Sequence, residues 1–189
     1  MRPRGHHIAA ALGIAILLGV AGGRAAPPEP SNYRTEDYRS PTPATLRGAI
    51  VMTTNEAHAR WEQHTAVFID VLPQPPRPAG LPASTIWRPK PRQDVPGSIW
   101  LPDTGYGALA PVMDDYFERG LRQAIGGDRD RMIVFYCLAN CWMSWNAAKR
   151  ALALGYTNVA WYPDGTDGWT ADGLPLETRT PEPRPQAPE

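Results

Sequence analysis

Two cysteines, Cys137 and Cys141, are the only thiols in the chain, and both fall within Cys137-Leu138-Ala139-Asn140-Cys141-Trp142-Met143-Ser144. Met132–Tyr136 (MIVFY) precedes them as the strongest strand in the sequence, and a helical pattern from about Trp142 to Leu154, stopped by Gly155, follows. Open α/β sheets place their sites at the carboxyl ends of parallel strands, where the next helix begins. Unpaired N–H groups and the positive end of the helix dipole stabilise an anion there. A thiolate or persulfide fits that description, with the backbone of Leu138, Ala139, Asn140 and Trp142 as donors. Position makes Cys137 the thiol expected to titrate below the free value of about 8.5, with Cys141 near enough to condense with it. A plain disulfide or two inert buried thiols is the rival reading. Against it, a staple between residues so close closes too small a ring to remove much entropy from the unfolded chain.

Other chemistry has less support. Haem attachment needs C-x-x-C-H, and His58 and His64, on or beside the first helix and expected to be exposed, are far from the cysteines in sequence. Two cysteines and distant histidines form no recognised zinc spacing, so no metal ligand is assigned. Pro163–Gly168 (PDGTDG) reads as a turn-rich loop beside the cysteine loop, and the spacing of Asp164 and Asp167 matches no calcium loop. Trp61, Trp100 and Trp161 read as packing. Trp142 and Trp145, with Met143 and Ser144, either wall the site against water or offer a flat surface to a quinone or partner, and Asp70 and Asp164 are placed on the same wall. Lys149 and Arg150 read as solvated surface charges.

The elements that must position this loop alternate along the chain. The 189 residues carry 19 basic against 19 acidic side chains, 42% hydrophobic and 20% charged, the balance of one globular domain. With no basic stripe, nucleic acid is excluded as a partner. Ala49–Met52, Ala66–Val71, Ser98–Leu101, Met132–Tyr136 and Asn158–Tyr162 are strand candidates. Thr53 and Glu56 form a capping box that opens a helix through Trp61 and Gln63, and another helix spans about Val112 to Ile125, ending at Gly126-Gly127. The alternation predicts an α/β fold in three layers, a central parallel five-stranded sheet flanked by helices.

Both ends and one internal stretch stand outside that alternation. Arg2 and Arg4 lead into an uncharged run, Ile8–Val20, followed by small residues, which is the order of a secretory signal over residues 1–26 with cleavage near Ala25 or Ala26. Thirteen helical residues rise about 20 Å against a hydrocarbon core of roughly 30 Å, so no membrane association is expected after cleavage. Removal of Arg2, Arg4 and Arg24 leaves 16 basic and 19 acidic residues, a net charge of −3. The expected location is periplasmic, an oxidising compartment. Residues 27–44 read as an extended lead-in laid on the domain at 45–178, and 179–189 as a disordered tail. Residues 72–97 form a proline-rich insertion, expected to be a polyproline-like cover or lid, a partner surface, or a decoration without chemistry.

Taken together, AVFIDV (66–71), VPGSIWLP (95–102), IVFYC (133–137), SWNAAKRALALGYTNVAWYPDGTDGW (144–169) and GLPL (173–176) resemble the rhodanese-like domain. More narrowly, CLANCWMSWNAAKRA resembles the exported proteins named for a C-x-x-C-W motif and associated with catabolism by pyrroloquinoline quinone (PQQ) dehydrogenases, although three residues rather than two separate the cysteines here. The resemblance implies Cys137 as nucleophile and Cys141 as resolving thiol in persulfide or thiol-disulfide chemistry. Its implied partners are a small thiol or sulfur donor and a PQQ-dependent dehydrogenase or its c-type cytochrome; association with PQQ is indirect, and no cofactor is assigned to this chain. The alternative is a catalytically inactive scaffold that binds such a partner through the Trp-flanked loop and the insertion. The loop lacks the family's arginine and Leu72 stands where many relatives carry one, so efficient thiosulfate sulfurtransferase activity is not expected. A C-x5-R phosphatase is excluded for want of a bidentate phosphate donor.

Overall fold

The computed structural model describes residues 25–82, 84–88 and 90–185. The expected signal sequence therefore lies outside the described residues, apart from Ala25 and Ala26. The elements are β1 (Ile50–Val51), α1 (Thr54–Glu62), β2 (Ala66–Asp70), β3 (Arg92–Asp94), β4 (Ile99–Trp100), α2 (Pro111–Ala124), β5 (Met132–Tyr136), α3 (Trp142–Ala153), β6 (Val159–Trp161), α4 (Gly165–Ala171) and β7 (Glu177–Arg179).

Five strands form a parallel sheet in the order β1-β6-β5-β2-β4. The central pair aligns Ala66 with Met132 and Asp70 with Tyr136, so the two strands end level with each other. Because side chains alternate across a strand, Val67, Ile69, Ile133 and Phe135 pack on one face under Phe117, Leu121, Ala147, Ala148 and Ala151 of α2 and α3. Phe68, Val134 and Tyr136 pack on the other face with Ala57 of α1 and Trp169 of α4. The protein is thus a three-layer α/β fold. Thr53 caps α1 and Glu56 returns to the Thr53 N–H at 2.8 Å, closing the capping box. Among the described residues no helix is long and apolar enough to cross a membrane.

Three features depart from the sequence reading. The proline-rich insertion ends in β3, which pairs antiparallel with β7, Arg92 opposite Arg179 and Asp94 opposite Glu177. The turn-rich stretch after Pro163 winds into α4. Residues 179–185 are not a disordered tail: the Glu182 N–H donates to Trp100 O at 2.9 Å, the Tyr116 hydroxyl donates to Glu182 O at 2.9 Å, and Arg184 pairs with Asp103. Their few apolar side chains concealed this, because docking here is through backbone and charge. Residues 186–189 lie outside the described residues.

Candidate functional site

The carboxyl ends of β2 and β5 carry the loop 137–141 into α3. Cys137 leaves β5 toward the α3 face, and its carbonyl is fixed from behind by the Thr166 N–H at 3.1 Å, Thr166 Oγ1 at 3.4 Å and Arg92 Nη2 at 3.4 Å. Leu138 forms a bridge with Gly165, whose φ is +53°; a Cβ at that position would lie 2.5 Å from Cys137 O. Only glycine allows so close an approach at that dihedral angle. Asn140 makes the loop's left-handed turn at φ +52°.

Both cysteines are free thiols, Cys137 fully buried and Cys141 2% exposed. Their surroundings differ in polarity. Cys137 Sγ faces acceptors: Ser144 Oγ at 3.3 Å, Cys141 O at 3.6 Å and Leu138 O at 3.7 Å. The Ser144 hydroxyl donates its own proton to Cys141 O at 3.3 Å, leaving its lone pairs for Cys137 and for Trp161 Nε1 at 3.1 Å. Burial pushes the Cys137 thiol well above its ordinary range, and the neighbouring Cys141 and Asp70 charges add to this. Cys141 is shifted in the opposite direction. The Cys137 thiol, the N–H groups of Met143 and Leu138 and the Arg39 side chain together outweigh burial and bring Cys141 down to about 6. Between the two neighbouring thiols this balance favours the charge on Cys141, at the N-cap of α3, over Cys137.

The donor set also differs from the expected one. Two of the four expected backbone donors are engaged elsewhere. The Ala139 N–H donates to Asp167 Oδ2 at 3.1 Å, and the Trp142 N–H donates to Tyr38 O at 2.9 Å. Met143, read from the sequence as wall, is among the groups that lower Cys141. Asp167 rather than Asp164 meets the loop. Trp142 and Trp145 are both buried, in an edge-to-face pair at 5.4 Å, with their indole N–H groups on Ser40 Oγ at 3.0 Å and Thr45 O at 3.1 Å. They wall the site beneath the lead-in. Both indoles are buried, so the two tryptophans themselves present no flat outward surface.

Behind the loop lies a second cluster, of which the sequence reading had only Asp70. Asp70 is fully buried; Arg92 Nε donates to its Oδ2 at 2.6 Å and the Leu72 N–H to its Oδ1 at 2.9 Å. Asp94 is also fully buried and accepts from the Tyr136 hydroxyl. Two buried carboxylates against one guanidinium must share a proton, because a second uncompensated charge there is too costly. Burial and then the Asp70 charge raise Asp94 to about 7. Its Oδ2, otherwise without a partner, is where a proton shared with Asp70 would sit. The sequence shows Leu72 rather than arginine after Asp70-Val71, and in the fold Asp70 is paired by Arg92 from the insertion.

Arg150 is a further correction. It is buried, its guanidinium donating to Thr104 O and Tyr106 O, each at 2.8 Å, so it is a structural clamp rather than a solvated charge. Among the described residues no group of three or more His, Cys, Asp or Glu side chains could hold a metal ion.

The model of the rhodanese-like domain matches residues 53–172. No curated protein matches the sequence. The fold is similar to the polysulfide-sulfur transferase homodimer from Wolinella succinogenes at 17% identity, covering 70% of this chain and 81% of that one, with a TM-score of 0.44. It is also similar to a rhodanese-like domain from Anabaena at 16% identity, covering 73% and 89%, with a TM-score of 0.43. A variant of EanB in complex with ergothioneine aligns at 20% identity over 76% of this chain and 34% of that one, with a TM-score of 0.50.

Proposed function

The chain belongs to the rhodanese-like domain family, and from that premise we propose that it moves sulfur through a thiol pair in which Cys141 is the nucleophile and Cys137 the resolving thiol. One observation carries the assignment: Cys137 Sγ is fully buried and faces the Leu138 and Cys141 carbonyls, whereas Cys141 stands at the N-cap of α3. The Cys141 thiolate attacks the outer sulfur of a persulfide R–S–SH, the S–S bond breaks, and R–S⁻ leaves. The sulfur is then carried as a Cys141 persulfide, which an acceptor thiolate can take. Alternatively, Cys137 gives up its proton and attacks the Cys141 sulfur, forming the Cys137–Cys141 disulfide and releasing hydrosulfide. Ser144, which bonds both Cys137 Sγ and Cys141 O, holds the pair in register.

The likeness of CLANCWMSWNAAKRA to the C-x-x-C-W proteins and the Arg-led apolar run Ile8–Val20 support a setting for this chemistry. In the proposal it runs in an exported compartment, in support of alcohol oxidation by a PQQ-dependent dehydrogenase or its c-type cytochrome. The test is mass spectrometry after exposure of the reduced protein to an organic persulfide. One added sulfur on Cys141 in Cys137→Ser, and none on Cys137 in Cys141→Ser, is the expected result. Persulfide confined to Cys137 would overturn it.

A further inference from the structure

Residues 71–93 hold four basic side chains and no acidic one, in a chain whose 19 basic and 19 acidic residues balance overall. Arg92 is committed to Asp70. The other three, Arg77, Arg88 and Lys90, are exposed, and among the described residues none of them makes an ion pair. Between Arg77 and Arg88 stand Leu81 and Ile86, the latter 82% exposed, more than any other large apolar side chain among the described residues. The insertion is anchored at both feet. The Leu72 N–H donates to Asp70 Oδ1 at 2.9 Å and Arg92 Nε to Asp70 Oδ2 at 2.6 Å, so one buried carboxylate holds both ends. Trp100 Nε1 donates to Leu72 O at 2.7 Å, and Arg184 donates to the Gln74 side chain. Arg92 also reaches the Cys137 carbonyl, which puts these feet at the end of the sheet from which the cysteine loop leaves. Seven prolines in the same stretch remove backbone donors, so its crown offers side chains rather than a strand edge.

We propose that the insertion is a docking surface for an acidic protein, Arg77, Arg88 and Lys90 pairing with carboxylates that rim an apolar groove for Leu81 and Ile86. A loop kept only for solubility mixes both signs of charge, whereas this one excludes acids and exposes apolar side chains among its cations. Arginine around an apolar centre is the composition of a protein interface. A loop closed at its base also loses less freedom when its crown is bound. A lipid surface is the weaker fit, because three exposed cations fall short of the four to eight that hold a segment to anionic headgroups. Docking does not depend on which cysteine accepts sulfur. It adds to the sulfur-transfer reading the class of macromolecule brought to the cysteine end of the sheet.

Binding of fluorescent poly-L-glutamate and of a soluble glutamate–tyrosine copolymer to the full chain tests this. The copolymer, which carries apolar rings among its carboxylates, should bind more tightly than poly-L-glutamate, and salt should weaken both. Arg77→Gln, Arg88→Gln and Lys90→Gln together should weaken both about eightfold, roughly twofold for each exposed charge pair. Ile86→Ser should weaken the copolymer alone. Neutralising three exposed cations outside the insertion, Arg60, Arg119 and Arg131, should cost much less. An equal loss in that control would reduce the effect to net charge and overturn the proposal, as would copolymer binding that survives the triple change. Tighter binding to phosphatidylglycerol vesicles than to either polymer, lost in the triple variant, would overturn a protein partner in favour of a lipid surface. Persulfide uptake from a small organic donor should be the same in the triple variant and the wild type. Its absence from the wild type would overturn the sulfur-transfer reading and leave the docking surface standing, whereas its loss in the triple variant alone would show that these cations serve the cysteines and overturn the docking role.

Discussion

Arg92 Nε donates to Asp70 Oδ2 at 2.6 Å, joining the end of the proline-rich insertion to the end of β2 directly behind the cysteine loop. The guanidinium also reaches Thr166 Oγ1 at 3.2 Å and the Cys137 carbonyl, so one side chain fixes β2, the start of α4 and the base of the loop. The insertion is therefore structurally committed at its carboxyl end, where β3 pairs with β7.

Removing that guanidinium leaves Asp70 buried and unpaired. Arg92→Met is expected to cost about 3–5 kcal/mol of unfolding free energy, the range seen when one partner of a buried pair is deleted. Asp70→Asn combined with Arg92→Met should cost clearly less than the two single changes added together, since the pair shares one interaction. Denaturant unfolding of the three variants checks it, and strict additivity would count against the contact as the source of the loss.

Asp94 makes stability depend on pH in a defined direction. Raised to about 7 in the folded chain, its carboxyl binds a proton more tightly there than in the unfolded chain, where about 3.9 is usual. This contribution is complete below about pH 4 and is lost as pH rises through about 7, at no more than about 1.4 kcal/mol per unit. Asp94→Asn keeps the acceptor for Tyr136 and supplies a permanent N–H toward Asp70, so it should flatten the decline. Urea midpoints between pH 4 and 8 for the two proteins measure this; equal slopes would contradict the shared proton.

The docked residues after β7 should matter to stability. Truncation after Thr178 removes the Glu182 bonds to Trp100 and Tyr116 and the Arg184–Asp103 pair. A loss of more than about 1 kcal/mol is expected, of the order of the buried hydrogen bonds forfeited. Tyr116→Phe in the full chain should lose part of the same amount, which thermal and urea unfolding can resolve.

Much of this fold was legible because its five parallel strands read as apolar or β-branched runs and because Thr53 and Glu56 announce a helix start. The polar pair β3 and β7, Arg-Gln-Asp against Glu-Thr-Arg, carries no hydrophobic pattern and is held by backbone bonds that sequence does not display. In the site, the cysteines and Asp70 were visible from type and position. Arg92 stands 22 residues from Asp70, and Ser40, next to Arg39, stands 102 residues from its partner Trp142. No local rule connects such distant residues. The acidity order was hidden for a different reason. Strand position fixes where Cys137 lies, whereas titration depends on burial and on what faces each sulfur, and the Leu138 and Cys141 carbonyls put acceptors beside the fully buried Cys137.

Iodoacetamide rates of the two single-cysteine variants against pH test the central claim most directly. Cys137→Ser keeps a hydroxyl donor beside Cys141, so Cys141 should react at neutral pH with a midpoint below that of a free thiol, while buried Cys137 in Cys141→Ser should titrate above one. A fast, acidic Cys137 beside a slow Cys141 would contradict the assignment of Cys141 as the sulfur-accepting thiolate.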